Sequence, residues 1–103
     1  MNDEMVSQKT AEVTVTPESD LVLAKLPALR SKLRELVGSG VSQLTLDLSG
    51  VHMMDSAGIG LVVSTHNSLK KAGGELTLVH ATQDILDLLK TMRIHQHLKV
   101  SGS

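Results

Sequence analysis

Two stretches of this chain alternate apolar and polar residues, and the distance between them limits the fold more than any other feature. In the first, Leu44, Leu46 and Leu48 alternate with Thr45, Asp47 and Ser49; in the second, Leu76, Leu78 and His80 alternate with Glu75, Thr77 and Val79. A period of two marks a strand with one buried face. About 27 residues separate the two, room for one helix. Within them Ile59, Val62, Val63, His66 and Leu69 share one helical face, Lys70 and Lys71 suit the negative end of the helix dipole, and Ala72-Gly73-Gly74 closes the element. A strand, helix, strand unit of this length is normally parallel and right-handed.

The rest of the chain extends the same theme. Glu12 to Thr16 reads as a short strand that Pro17 stops. Asp20 to Lys25 is open to two readings, a second short strand or a buried loop. Leu26, Leu29, Leu33, Leu36 and Val37 fall on one helical face with Pro27 in the first turn, and Gly38-Ser39-Gly40 ends that helix. A third helix starts near Gln83, capped by Thr82, with Ile85, Leu88, Leu89 and Met92 on one face. Beyond His95 the tail reads as a helical turn or an edge strand near Val100. Residues 1–10 are polar and aperiodic, a flexible terminus, and 11–103 form one domain without internal repeats. The expected class is α/β: a small mixed β-sheet with helices packed mainly on one side.

Composition removes several functions. Ten Lys/Arg against eleven Asp/Glu leave a net charge of −1, and the basic residues are scattered, so no footprint for nucleic acid or an anionic membrane exists. The chain has no Phe, Tyr or Trp and therefore none of the usual stacking platforms for single-stranded nucleic acid. Without cysteine, disulfides, zinc thiolates and thiol nucleophiles fall away, which suits a reducing cytoplasm. No apolar run approaches a bilayer-spanning length, and the acidic start Met1-Asn2-Asp3-Glu4 lacks a signal-peptide pattern. The expected location is cytoplasmic.

The informative junction is Asp55-Ser56-Ala57-Gly58-Ile59-Gly60, which opens the second helix after a strand and a short loop. First-turn N–H groups lack internal partners and carry partial positive charge, so Asp55 or Ser56 can cap them. Gly58 and Gly60 leave the backbone bare for close approach by another molecule. Two readings stand side by side: an N-cap with a tight turn and nothing more, or a docking point for a partner. A phosphoryl group on Ser56 would gain from the helix dipole and be repelled by Asp55.

Three segments carry a resemblance: Leu46-Asp47-Leu48-Ser49-Gly50-Val51, Met54-Asp55-Ser56-Ala57-Gly58-Ile59-Gly60 and Lys71-Ala72-Gly73-Gly74-Glu75-Leu76. Together they closely resemble the STAS family, which includes bacterial anti-sigma factor antagonists. The resemblance covers roughly Val13 to Val100. It implies a sheet of about four strands with helices on one side, and a non-enzymatic module that binds an anti-sigma factor, a serine kinase, or a related signalling kinase. The implied partner surface is Asp55, Ser56, Ala57, Gly58 and Ile59. In phosphorylated members the accepting hydroxyl generally sits directly before the glycine. Here that position is Ala57, so Ser56 is the remaining candidate phosphorylation site. The acidic turn usual before the first helix is replaced by Leu21-Val22-Leu23-Ala24.

Other classes find less support. Gly58-Ile59-Gly60 after a strand suggests a small nucleotide- or phosphate-binding protein, but Val63 occupies the third glycine position of a dinucleotide loop and no Gly-Lys-Ser/Thr phosphate loop exists. A serine hydrolase would need a nucleophile elbow that is missing, although His52 lies three residues before Asp55. His95 and His97 make a weak metal pair without nearby carboxylates or thiols. No cofactor, metal or catalytic residue is expected. His66 reads as a core or boundary residue and His80 as a surface residue at a strand end.

Overall fold

Alternation in the sequence becomes a sheet with one dry face. In a computed structural model, which describes residues 12–93 and 99–102, Leu44, Leu46, Leu48, Leu76 and Leu78 are fully buried. The interleaved Thr45, Asp47, Thr77 and Val79 are half-buried on the opposite face. Four strands form the sheet: β1 (Glu12–Val15), β2 (Gln43–Asp47), β3 (Glu75–Ala81) and β4 (Lys99–Gly102). Their spatial order follows their order in the chain.

The sheet is parallel in all three pairings, where a mixed one was expected. The cause lies in the connections. Each contains a helix, which returns the chain to the edge from which the previous strand began. Helix α1 (Leu26–Gly38) joins β1 to β2, α2 (Ser56–Lys71) joins β2 to β3, and α3 (Gln83–Thr91) joins β3 to β4. Register places Val15, Leu46, Leu78 and Val100 in one row across all four strands. The α/β class therefore stands as read, and of the two readings of the tail the strand near Val100 is the one found. The expected flexible terminus at 1–10 and the pair His95 and His97 lie outside the described residues.

Helix boundaries follow local chemistry. α1 carries Pro27 in its first turn, where a missing N–H costs nothing. α1 and α2 are followed by Gly40 (φ 99°) and Gly73 (φ 82°), in the left-handed region that favours glycine. Thr82 caps α3, its Oγ1 accepting from the N–H of Ile85 at 3.3 Å. Met92, expected on the buried face of α3, instead caps its C-terminus and stands 51% exposed, because the helix stops one residue earlier.

On α2, Ile59, Val62 and Leu69 are buried as their spacing implied, and Val63 and His66 are half-buried. Leu61 and Thr65 are buried as well. They line the seam between α2 and α1. The Thr65 hydroxyl donates to the Leu61 carbonyl at 2.8 Å and so enters the core without an unmet polar group.

Candidate functional site

The loops that leave β1 and β2 emerge at the same edge of the parallel sheet, and two aspartates tie them together. Asp20 Oδ1 accepts from the backbone N–H groups of His52 at 2.8 Å and Met53 at 3.1 Å. From the other loop, Asp55 Oδ2 accepts from the N–H of Leu23 at 3.0 Å. Backbone bonds run between the same strands of loop. Leu21 donates to the Met53 carbonyl at 3.0 Å, and Asp55 donates to the Leu21 carbonyl at 3.2 Å. Leu21 and Met54 thus form an isolated parallel bridge, followed by a single 3₁₀ turn at Leu23–Lys25. The ambiguous segment is one rung of sheet and then a turn.

Asp55 is also the N-cap of α2, its Oδ1 accepting from the Gly58 N–H at 3.0 Å. Both carboxylate oxygens are therefore engaged. Hydrogen bonds from Leu23 and then Gly58 hold the Asp55 carboxyl below the ordinary aspartate range. Those from His52 and Met53 do the same for Asp20. The capping reading of Asp55 holds, and its reach across to Leu23 goes beyond it.

The remaining residues of the motif divide by exposure. Ser56 and Gly60 are exposed and Ala57 is half-buried against the core, while Gly58 and Ile59 are buried. Gly58 does not offer bare backbone to an incoming molecule. A Cβ on it would stand 2.2 Å from the Leu21 carbonyl oxygen and 2.9 Å from Met54 Cγ, so the glycine admits this chain's own loop. Around Gly60, by contrast, nothing lies within 4 Å of such a Cβ. A phosphate loop is disfavoured too: the Gly58 N–H is already used, and the Asp55 carboxylate occupies the helix start.

Two large apolar side chains flank this junction in solvent. Leu23 is 66% exposed and Met53 63%. Each belongs to a loop segment held by one of the two aspartates, Leu23 by its N–H to Asp55 and Met53 by its N–H to Asp20. Sequence reading missed Asp20, Leu23 and Met53. Leu23 lies in an apolar run that reads as core, and the pairing of Asp20 with a segment over thirty residues away leaves no local trace. Nearby at the same sheet edge, His80 Nδ1 lies 3.0 Å from Asp47 Oδ1, and His80 is exposed as anticipated. His52 is exposed, and its backbone rather than its ring is fixed by Asp20. Among the described residues, no three His, Asp or Glu side chains are grouped as metal ligands, and no helix is long and apolar enough to cross a membrane.

A four-stranded parallel sheet with one buried face, helical connections and a helix start capped by Asp55 defines a small α/β domain. The family model for the STAS domain matches residues 4–103, and the chain belongs to that family. The anti-sigma-B factor antagonist of Bacillus subtilis (strain 168) is 29% identical over 97 residues, 94% of this chain and 88% of that protein. Among solved structures, a Thermotoga maritima protein described as an anti-sigma factor antagonist superposes with a TM-score of 0.85 at 20% identity, covering 90% of this chain and 80% of its own. The phosphorylated form of the Bacillus cell fate determinant SpoIIAA gives a TM-score of 0.71 at 16% identity, covering 88% and 83%. The chain is therefore an antagonist-like STAS domain.

Proposed function

We propose that this chain is a non-enzymatic regulatory module of a bacterial partner-switching pathway, working in the cytoplasm. Its partner is an anti-sigma factor with serine kinase character, or a related signalling kinase. The docking surface is the start of α2: Ser56 and Gly60 with Leu23 and Met53 around them, on a frame held by Asp55, Ala57, Gly58 and Ile59. The observation that carries this reading is the exposure of Leu23 and Met53 on loops locked by carboxylates. A fixed apolar pair beside a polar rim can bury area on binding with little ordering cost.

Control by phosphorylation has one available acceptor here. Ser56 is exposed at the helix start, whereas Ala57 has no hydroxyl. A phosphoryl group on Ser56 would add nearly two negative charges beside Asp55 and close to Met53, opposing apolar docking. Where Ser56 is left unmodified, with Ala57 in the usual acceptor position, the module stays competent to bind and control lies with its partner.

A pull-down from the source cytoplasm tests the reading, with the native chain, Met53→Asp and Gly60→Arg as baits and mass spectrometry of what is retained. Recovery of an anti-sigma factor or kinase by the native bait alone supports it. Identical sets on all three baits would remove it. Intact mass after incubation with the recovered kinase and ATP, for the native chain and Ser56→Ala, then decides whether Ser56 accepts a phosphoryl group.

A further inference from the structure

The chain has no Cys, Trp or Tyr and five methionines, so thioether sulfur is its most readily oxidised group. Among the described residues three methionines differ sharply in exposure: Met53 is 63% exposed, Met92 51% and Met54 9%. Met54 forms the bridge with Leu21, and its Cγ is one of the atoms that a Cβ on Gly58 would meet. It is sealed beneath the start of α2. Its neighbour Met53 has its N–H held by Asp20, and its carbonyl accepts from the N–H of Leu21. The backbone is fixed there and the side chain is left in water. Met92 ends α3, the helix that carries the chain back to the other edge of the sheet, so it lies away from the junction.

We propose that Met53 is a modification site: a hydroperoxide converts its thioether to the sulfoxide in the folded chain and so removes one of the two exposed apolar anchors. With hydrogen peroxide, a sulfur lone pair attacks one oxygen and the O–O bond breaks. The departing hydroxide takes the proton from the new S–OH group and leaves as water. Sulfur is oxidised by two electrons, which the peroxide takes up. The core need not open for this, because the side chain already stands in solvent. The product is polar where the thioether was apolar. Leu23, the other anchor, has no such chemistry, so the effect centres on one residue. Burying a sulfoxide against an apolar partner surface strips its oxygen of water. That consequence for binding rests on the docking surface proposed above, whereas the oxidation itself does not. Reduction of the sulfoxide restores the thioether.

The test exposes the full chain to dilute hydrogen peroxide and follows each methionine by peptide mass spectrometry. Met53 should be oxidised at least about tenfold faster than Met54. While Met54 stays reduced, the melting temperature should move by no more than about 2 °C. On a hydrophobic-interaction column the oxidised native chain should elute earlier than the untreated one, and Met53→Leu should shift far less. Once the peroxide is removed, the oxidised native chain should bind the anti-sigma factor or kinase from the pull-down about tenfold or more weakly. Met53→Leu, whatever its own affinity, should lose far less on the same treatment, and a methionine sulfoxide reductase should restore the native chain. Equal oxidation rates at Met53 and Met54, or equal column shifts for the native chain and Met53→Leu, would overturn the proposal. So would a partner complex that oxidation leaves intact or weakens equally in both chains. A native chain that retains no such partner would remove the docking reading, and the rates and column shifts would still decide this one.

Discussion

The carboxylate of Asp55 joins two backbone N–H groups that lie on different elements, that of Gly58 in its own helix and that of Leu23, 32 residues earlier in sequence. One side chain thus caps α2 and fixes the turn that carries an exposed leucine. Replacing it leaves both donors in want of a partner. Asp55→Ala should lower the melting temperature by several degrees, and Asp55→Asn by less, since asparagine retains one acceptor and is a good cap. Thermal denaturation followed by circular dichroism measures both. An Asp55→Ala variant that melts like the native chain would show that the clamp contributes nothing.

Two glycines two residues apart should respond in opposite directions. At Gly58 a methyl group meets the Leu21 carbonyl oxygen, a backbone atom that cannot swing aside. Gly58→Ala should destabilise by about 1–3 kcal/mol through overpacking. At Gly60 the same methyl enters open space within a helix, and Gly60→Ala should stabilise by about 0.5–1 kcal/mol. Urea denaturation of both variants reads the contrast, and equal shifts would refute it.

Stability should fall in acid over a defined window. Asp20, Asp55 and Asp47 each have a folded-state pKa held below the ordinary aspartate value of 3.8, chiefly by backbone N–H donors. A depressed pKa means that the folded state binds protons less readily than the unfolded one, so stability is fully present above the unfolded value. It is lost as pH drops through 3.8 and on through the lower folded values. Melting temperatures from neutral pH downward should be flat and then fall below about pH 4.5. In Asp20→Asn with Asp55→Asn the acid decline should be shallower, and an unchanged decline would place the acid sensitivity elsewhere.

The dry face of the sheet depends on leucines in register. Leu78 is fully buried and pairs with Leu46 on one side and Val100 on the other. Leu78→Ala should cost about 2–5 kcal/mol, transfer and cavity together. The half-buried Val79 next to it, on the other face, should tolerate Val79→Thr at about 1 kcal/mol or less. Denaturant midpoints for the pair check the assignment of faces directly.

How much of this could be read in advance depended on range along the chain. The strand 44–48, the helix from Gln83 and its Thr82 cap are local patterns, and they stand because period and capping are set by neighbouring residues. The parallel sheet was less legible: spacing implied it for β2 and β3, but short strands at the edges carry no direction of their own. The clamp was not legible at all. Asp20 and Asp55 act on backbone N–H groups more than thirty positions away, and any residue type but proline would supply those donors. Gly58 was visible as a glycine while its reason was not, because the atom it makes room for belongs to Leu21.

His80 bends the end of β3 in a way that the alternation did not disclose. Its φ is 60°, in the left-handed region, and the β3–β4 register shifts between Leu78 and Ala81 around it. A non-glycine residue is held there at a cost, most severe for β-branched side chains. The contact of its ring with Asp47 helps to hold it. His80→Gly removes the cost together with that contact, whereas His80→Val removes the contact and raises the cost. His80→Val should therefore be less stable than His80→Gly by about 1–2 kcal/mol, with His80→Asn between them, since asparagine tolerates this conformation. Chemical denaturation of the three variants at neutral pH gives the order. Equal stability of the valine and glycine variants would mean that β3 straightens at this residue, and the shifted register with β4 would have to be abandoned with it.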